Sequence, residues 1–210
     1  MRTTNLTRGG AVVLAMIATA SWAQNYLLNG GFDTPNPSLT IPPFSVVWTG
    51  QYAGPTSSAA DWSIYNTFSG TTTTELEHST DPLGSGYMLH VIASAAGEGV
   101  YQVFAEESGV NTFVDVEVVS GAMILIAEGP GMSVINYVTA STSTIGPQWV
   151  TLEVPNSDNE NEVFIGSLGP ATFYLDNAAV TPVPEPSTLS LWAAAAALIP
   201  VVRRTRRLKG

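Results

Sequence analysis

The chain contains no cysteine, and no lysine or arginine stands between Gly9 and Val202. The first absence excludes disulfides, cysteine-ligated zinc and thiol nucleophiles together. The second argues against a nucleic-acid binder, because contacts to phosphate need lysine and arginine. It also leaves the middle of the chain without any Lys or Arg ion pair. All seven basic residues, Arg2, Arg8, Arg203, Arg204, Arg206, Arg207 and Lys209, sit at the two ends, and the 17 acidic residues all lie between them. A sustained helical stripe is missing from the middle as well. At 210 residues the chain suits one domain with appendages.

The two ends read as addresses. Arg2 and Arg8 precede an apolar stretch, Gly9 to Ala20, and Ser21-Trp22-Ala23 supplies small residues where a signal peptidase reads them. Residues 1–23 are therefore expected to be a secretory signal peptide cut between Ala23 and Gln24, rather than a buried N-terminal helix. At the other end, the proline-rich stretch Thr181 to Thr188 is expected to break regular structure. An apolar run of 14 residues follows from Leu189 to Val202, then Arg203, Arg204, Arg206 and Arg207. The run is short against the ~20 residues of a comfortable bilayer span. Flanking Ser and Thr and snorkelling arginines extend it into a transmembrane helix over 189–202. The basic cluster is expected on the cytoplasmic side of the inner membrane, which puts Glu185 and everything before it outside.

Val183-Pro184-Glu185-Pro186, a short apolar helix and an arginine-rich tail, in that order, resemble the PEP-CTERM sorting signal of Gram-negative bacteria. The resemblance covers about the last 30 residues. It implies recognition by exosortase, a membrane cysteine protease, and processing near the motif. Residues 181–210 are accordingly taken as the sorting signal. It says where the protein goes, and nothing of what the rest does.

Between the ends, residues 24–183 carry 16 acidic residues, all but Glu185, and no basic one. That charge keeps the segment soluble, repels other copies of it, and makes divalent cations natural partners for clustered carboxylates. Thr112 to Val118 alternates apolar and polar residues after Val114; Met132 to Thr139 and Gln148 to Val154 do so less strictly. Tyr87–Ala93, Gly99–Phe104, Ala122–Ala127, Val163–Leu168 and Thr172–Val180 are short runs rich in β-branched or aromatic residues. Gly, Pro, Asn and Ser punctuate them about every ten residues. The expectation is an all-β jelly-roll sandwich over residues 24–180, flanked by the signal helix and the transmembrane helix. The stretch from Asp33 to Ser85 reads as long loops with short strands near Val46-Val47-Trp48 and Trp62 to Tyr65. The polar run Asn156 to Glu162 reads as a hairpin turn.

Leu28 to Asp33, with Asn29-Gly30-Gly31-Phe32-Asp33, resembles the Asn-Gly-Gly-Phe-Glu opening of jelly-roll carbohydrate-binding modules and galactose-binding-like domains. Gly99 to Phe104 resembles their central Gln-bearing strand, and Phe173 to Asn177 their final strand. Asp33 stands where Glu is usual, and Asn177-Ala178 where Asp-Val is usual. The likeness implies a structural calcium at Asp33 and Asp176, brought together because first and last strands of a jelly roll pair. It also implies sugar recognition. Sugar rings present C–H faces that pack on flat aromatics, and Trp62, Tyr65, Tyr101 and Gln102 are the candidates. Trp48 and Trp149 read as core, and His90 as a satisfied strand histidine. Glu75 and Glu77, beside His78, form a weaker candidate acid/base pair.

The reading is an exported, exosortase-sorted, non-catalytic surface or matrix protein. Its expected partners are signal peptidase, exosortase, the inner membrane and extracellular polysaccharide. A structural or adhesive matrix protein, or a small secreted hydrolase, are the alternatives.

Overall fold

The computed structural model describes residues 24–183, apart from 41–43 and 69. The signal peptide, Pro184, Glu185 and Pro186 of the sorting motif, the apolar run 189–202 and the arginine tail lie outside the described residues. Among those described, no helix is long and apolar enough to cross a membrane.

Among the described residues twelve strands follow in order: β1 (Phe44–Trp48), β2 (Tyr52–Thr56), β3 (Ser63–Asn66), β4 (Thr72–His78), β5 (Tyr87–Ala93), β6 (Glu98–Glu107), β7 (Val110–Ser120), β8 (Ala122–Gly129), β9 (Ser133–Ser141), β10 (Val150–Ser157), β11 (Glu160–Ser167) and β12 (Ala171–Pro182). One short helix, α1 (Thr142–Ile145), precedes β10. The strands form two six-stranded antiparallel sheets. The first has the order β1-β4-β5-β12-β7-β10, the second β2-β3-β6-β11-β8-β9. They make a sandwich whose core is filled from both inner faces by residues such as Ile64, Leu89, Val91, Leu125, Ile165, Phe173 and Leu175. Each such side chain contributes about 1.5–3 kcal/mol by leaving water, so this core holds the fold without disulfides.

Strand β4 falls where the sequence suggests loop. Its Thr-Thr-Thr-Glu-Leu-Glu-His run is polar on both faces, which hides the alternation. Yet Thr72, Thr74 and Leu76 point inward and are buried, and the inward hydroxyls find partners. Thr72 donates to Asn66 Oδ1 at 2.6 Å, and Thr74 Oγ1 accepts the Ser58 N–H at 3.0 Å. Threonine's β-branching suits a strand once its oxygen is satisfied. The proline-rich break also begins later than expected. Thr181 and Pro182 still pair with Asn111 and Val110 in β7, because a proline at a strand terminus need not donate.

The first strand does not pair with the last. β1 lies beside β4 at a sheet edge. The irregular segment before it runs along β12 instead, with Tyr26 N donating to the Val180 carbonyl at 2.9 Å and Ala178 N to the Gly30 carbonyl at 2.8 Å. A bulge separates Asp176 from Ala179 in β12, and Asn177 occupies it at φ 48, a conformation asparagine tolerates better than most residues.

Candidate functional site

Successive residues of a strand point to opposite sides of the sheet, so the register defines what the outer face of the second sheet presents. One row crosses five strands: Ser63, Tyr101, Phe164, Ile126 and Tyr137. The next row is Tyr65, Gly99, Gly166, Ile124 and Thr139. Tyr65 sits edge-on to Tyr101 at 6.0 Å and to Phe164 at 5.9 Å, and the exposed Tyr52 continues the cluster 6.4 Å beyond it. The two glycines lower the floor beside these rings. A Cβ on Gly166 would collide with the Phe164 ring, and one on Gly99 with the Ile165 carbonyl. The result is an open cavity of about 340 Å³ walled by Tyr65, Phe164, Ile124 and Ile126.

Its far wall is acidic. Glu128 and Glu162 are paired directly across β8 and β11, which sets their Cβ atoms about 5 Å apart. Each is 9% exposed, and both face the cavity. Burial first, and the Glu128 charge second, push the Glu162 carboxyl up to about 7. Burial raises Glu128 as well. Tyr65 is held above its ordinary value by burial and then by Glu128. The face therefore offers flat aromatic rings, aliphatic side chains and two neighbouring carboxyls, of which Glu162 holds its proton up to about pH 7. Such a surface suits a ligand with apolar faces and hydroxyl donors.

Of the four residues expected to bind sugar, Tyr65 and Tyr101 lie on this face. Trp62 and Gln102 do not. Trp62 is 0% exposed, its ring 5.0 Å from Phe32 and its Nε1–H donating to the Asn29 carbonyl at 3.2 Å. Gln102 is buried and spends its amide on backbone: it donates to the Leu28 carbonyl at 2.8 Å and the Asp61 carbonyl at 3.2 Å, and accepts the Leu28 N–H at 2.6 Å. Strand parity is the reason. Tyr101 and Gln102 are adjacent in β6 and so point to opposite faces, and Trp62, one residue before β3, is buried like Ile64 while Tyr65 faces out. Trp149 also differs from its core assignment; it is half-buried outside the core and donates to Thr80 Oγ1 at 3.3 Å.

Phe164 and Glu128 carry no site signal in the sequence, and Glu162, read there as the end of the Asn156–Glu162 hairpin turn, lies inside β11. The usable signal was that β8 and β11 are apolar at successive positions, Met-Ile-Leu-Ile and Val-Phe-Ile. In a two-layer sandwich only one face of a strand meets the core, so such runs leave apolar side chains outside.

Asp33 and Asp176 both lie against one loop, at Gly86 and Gly84. Asp176 is 0% exposed. It accepts the Ser79 hydroxyl at 2.5 Å and the Asn177 N–H at 2.7 Å, while Asp33 accepts the Tyr87 N–H at 3.0 Å. A Cβ on Gly84 would collide with Asp176 Oδ2, and one on Gly86 with Asp33 Oδ1, so the loop stays bare against both carboxylates. Burial pushes the Asp176 carboxyl up to about 6. Its hydrogen bonds oppose this, and repulsion from Asp81 and Asp33 adds to it. The buried carboxylate has the Ser79 hydroxyl and the Asp33 and Asp81 carboxylates near it as oxygen donors, and no lysine or arginine to neutralise it. That donor set fits calcium.

No family model matches the sequence, and no curated protein matches it. Solved structures do resemble the fold. An arabinose-bound MgGH51 α-L-arabinofuranosidase aligns over 77% of this chain and 26% of its own, at 12% identity and a TM-score of 0.50. This chain thus spans about a quarter of that enzyme. TmCBM61, solved in complex with β-1,4-galactotriose, aligns over 77% of this chain and all of its own, at 15% identity and TM-score 0.48. The xylan-binding module CBM15 aligns over 67% and 99%, at 16% and 0.44. At these identities the likeness is one of fold.

Proposed function

We propose that the chain is an exported protein of the cell surface or extracellular matrix that binds polysaccharide on the outer face of its second sheet, without catalysing a reaction on it. The aromatic cluster of Tyr65, Tyr101 and Phe164 over the Gly99–Gly166 floor is the observation that carries this reading. Sugar rings stack on such faces, and the Glu128–Glu162 pair accepts and returns hydroxyl hydrogen bonds. A Tyr65→Ala, Phe164→Ala double variant is expected to lose at least ~30-fold in affinity for whichever plant or bacterial glycan the parent binds on an array, at ~1 kcal/mol or more per ring. An array with no bound glycan would leave the structural or adhesive alternative standing. Release of reducing ends, abolished by Glu162→Gln, would make the carboxyl pair a hydrolytic centre.

Export and sorting rest on the sequence of the two ends. Signal peptidase removes residues 1–23, the apolar run 189–202 holds the inner membrane transiently, and exosortase processes the chain near Val183-Pro184-Glu185-Pro186. Fractionation of cells is expected to find a shortened chain outside the inner membrane; full-length chain in the cytosol would contradict this. Asp33 and Asp176 would hold a structural calcium, which when bound supplies the positive charge this acidic domain lacks.

A further inference from the structure

The outer face of the first sheet carries a second concentration of chemistry, unrelated to the aromatic face. Glu75 and Glu77 are two residues apart on β4 and therefore point the same way. His90 on β5 lies directly across from Glu75. His90 Nδ1 is 2.8 Å from Glu77 Oε1 and 3.9 Å from Glu75 Oε2. One ligand atom from each of the three side chains falls within 4.8 Å of the others. A triangle with those two edges, and a third no longer than 4.8 Å, has a centre about 2.0–2.4 Å from each corner, which overlaps the ~2.0–2.2 Å of zinc to histidine nitrogen and carboxylate oxygen. An ion can therefore reach all three donors without any strand moving.

The surroundings favour an ion over a simple hydrogen-bonded pair. Two carboxylates face one imidazole, and no lysine or arginine exists in the domain to neutralise them. The Tyr174 ring packs 4.5 Å from the His90 ring and fixes its plane, and Glu117 stands across from Tyr174 on β7, adding negative potential. His90 Nε2 is buried with no partner. The imidazole makes its polar contacts through Nδ1 alone, the nitrogen that faces the two carboxylates. The glutamates remain partly exposed, 33% and 41%, so water can complete the coordination. A nitrogen donor beside two carboxylates selects zinc and its neighbours over calcium and magnesium, which prefer oxygen alone.

We infer that Glu75, Glu77 and His90 form a binding site for one divalent transition-metal ion of the zinc type, fixed on two adjacent strands. The site is independent of polysaccharide binding and of the Asp33–Asp176 pair. The test uses tag-free protein with calcium in excess throughout, so that oxygen-only sites are filled. Calorimetry is expected to show one zinc bound per chain, and cobalt(II) to give the visible bands of a nitrogen- and oxygen-ligated ion. The chain has two histidines, His78 and His90, so imidazole nitrogen spectra separate them: the His90 Nδ1 resonance should move on zinc addition, and its shift should persist in His78→Gln. His90→Gln should weaken zinc at least ~100-fold, since even outer-shell partners of a metal are worth ~10–100-fold. Glu75→Gln with Glu77→Gln should do the same. Zinc binding unchanged in His90→Gln would overturn the proposal, as would a His90 resonance that stays still at saturating zinc or binding that excess calcium abolishes. Should His90→Gln fail to fold, the resonance shift in the parent protein decides.

Discussion

In the presence of a chelator, the melting temperature of this protein is expected to fall by more than ~10 °C between about pH 5 and pH 8. The direction follows from the acids whose folded values lie above their ordinary ones. Asp176 rises from 3.8 to about 6 and Glu162 from 4.5 to about 7; Glu128 and Glu160 move the same way through burial. Across that window the folded chain holds protons that the unfolded chain has released. Stability is therefore full below the unfolded values and drains away as pH climbs through the folded ones, by about 3 kcal/mol each for Asp176 and Glu162 at most. Calcium should restore the Asp176 share at about pH 8 and do little at about pH 5, where the proton already occupies the carboxyl. Asp176→Asn, which mimics the protonated acid, should be more stable than the parent at the higher pH in chelator and should ignore calcium. A melting temperature flat across the range would refute the account of these buried acids. Asp176→Asn still responding to calcium would refute the metal assignment.

Two aromatics three residues apart should behave as opposites. Trp62→Ala is expected to cost about 3–5 kcal/mol, because a fully buried ring packed at a tilt against Phe32 leaves a cavity and takes one of two hydrogen bonds from the Asn29 carbonyl, which keeps the Phe32 N–H. Tyr65→Ala, on the outer face, should cost about 1 kcal/mol while removing glycan affinity. Urea unfolding of the two variants measures both. Equal losses of stability would mean that the two rings share a face after all.

This contrast also shows which part of the molecule can be read from its residues. Strands such as Tyr87–Ala93 announce themselves through β-branched and aromatic runs, and the hairpin at Asp158-Asn159 through turn chemistry. β4 does not, because its inward face carries two threonines and a single leucine, and threonine with glutamates fills the other, so the alternation is too faint to show which is inward. The site was half legible for the same reason. Composition singles out rings and carboxylates, but parity along a strand decides which reach the surface, and parity needs a register. Tyr101 and Gln102 look like a pair in the sequence and point in opposite directions in the fold. Glu128 and Glu162 meet only through the pairing of β8 with β11, a contact between residues 34 apart in sequence, and nothing local to either announces it.

A sandwich without lysine or arginine has one more property. Trypsin and proteases of the same specificity cut only after those residues, so between Gly9 and Val202 they find no peptide bond to attack, folded or unfolded. In a medium rich in such proteases the chain would lose its tips and keep its body. A survey that digests samples with trypsin before weighing peptides would see this protein as one large acidic fragment or overlook it, and a glutamate-specific protease is the better tool for finding it.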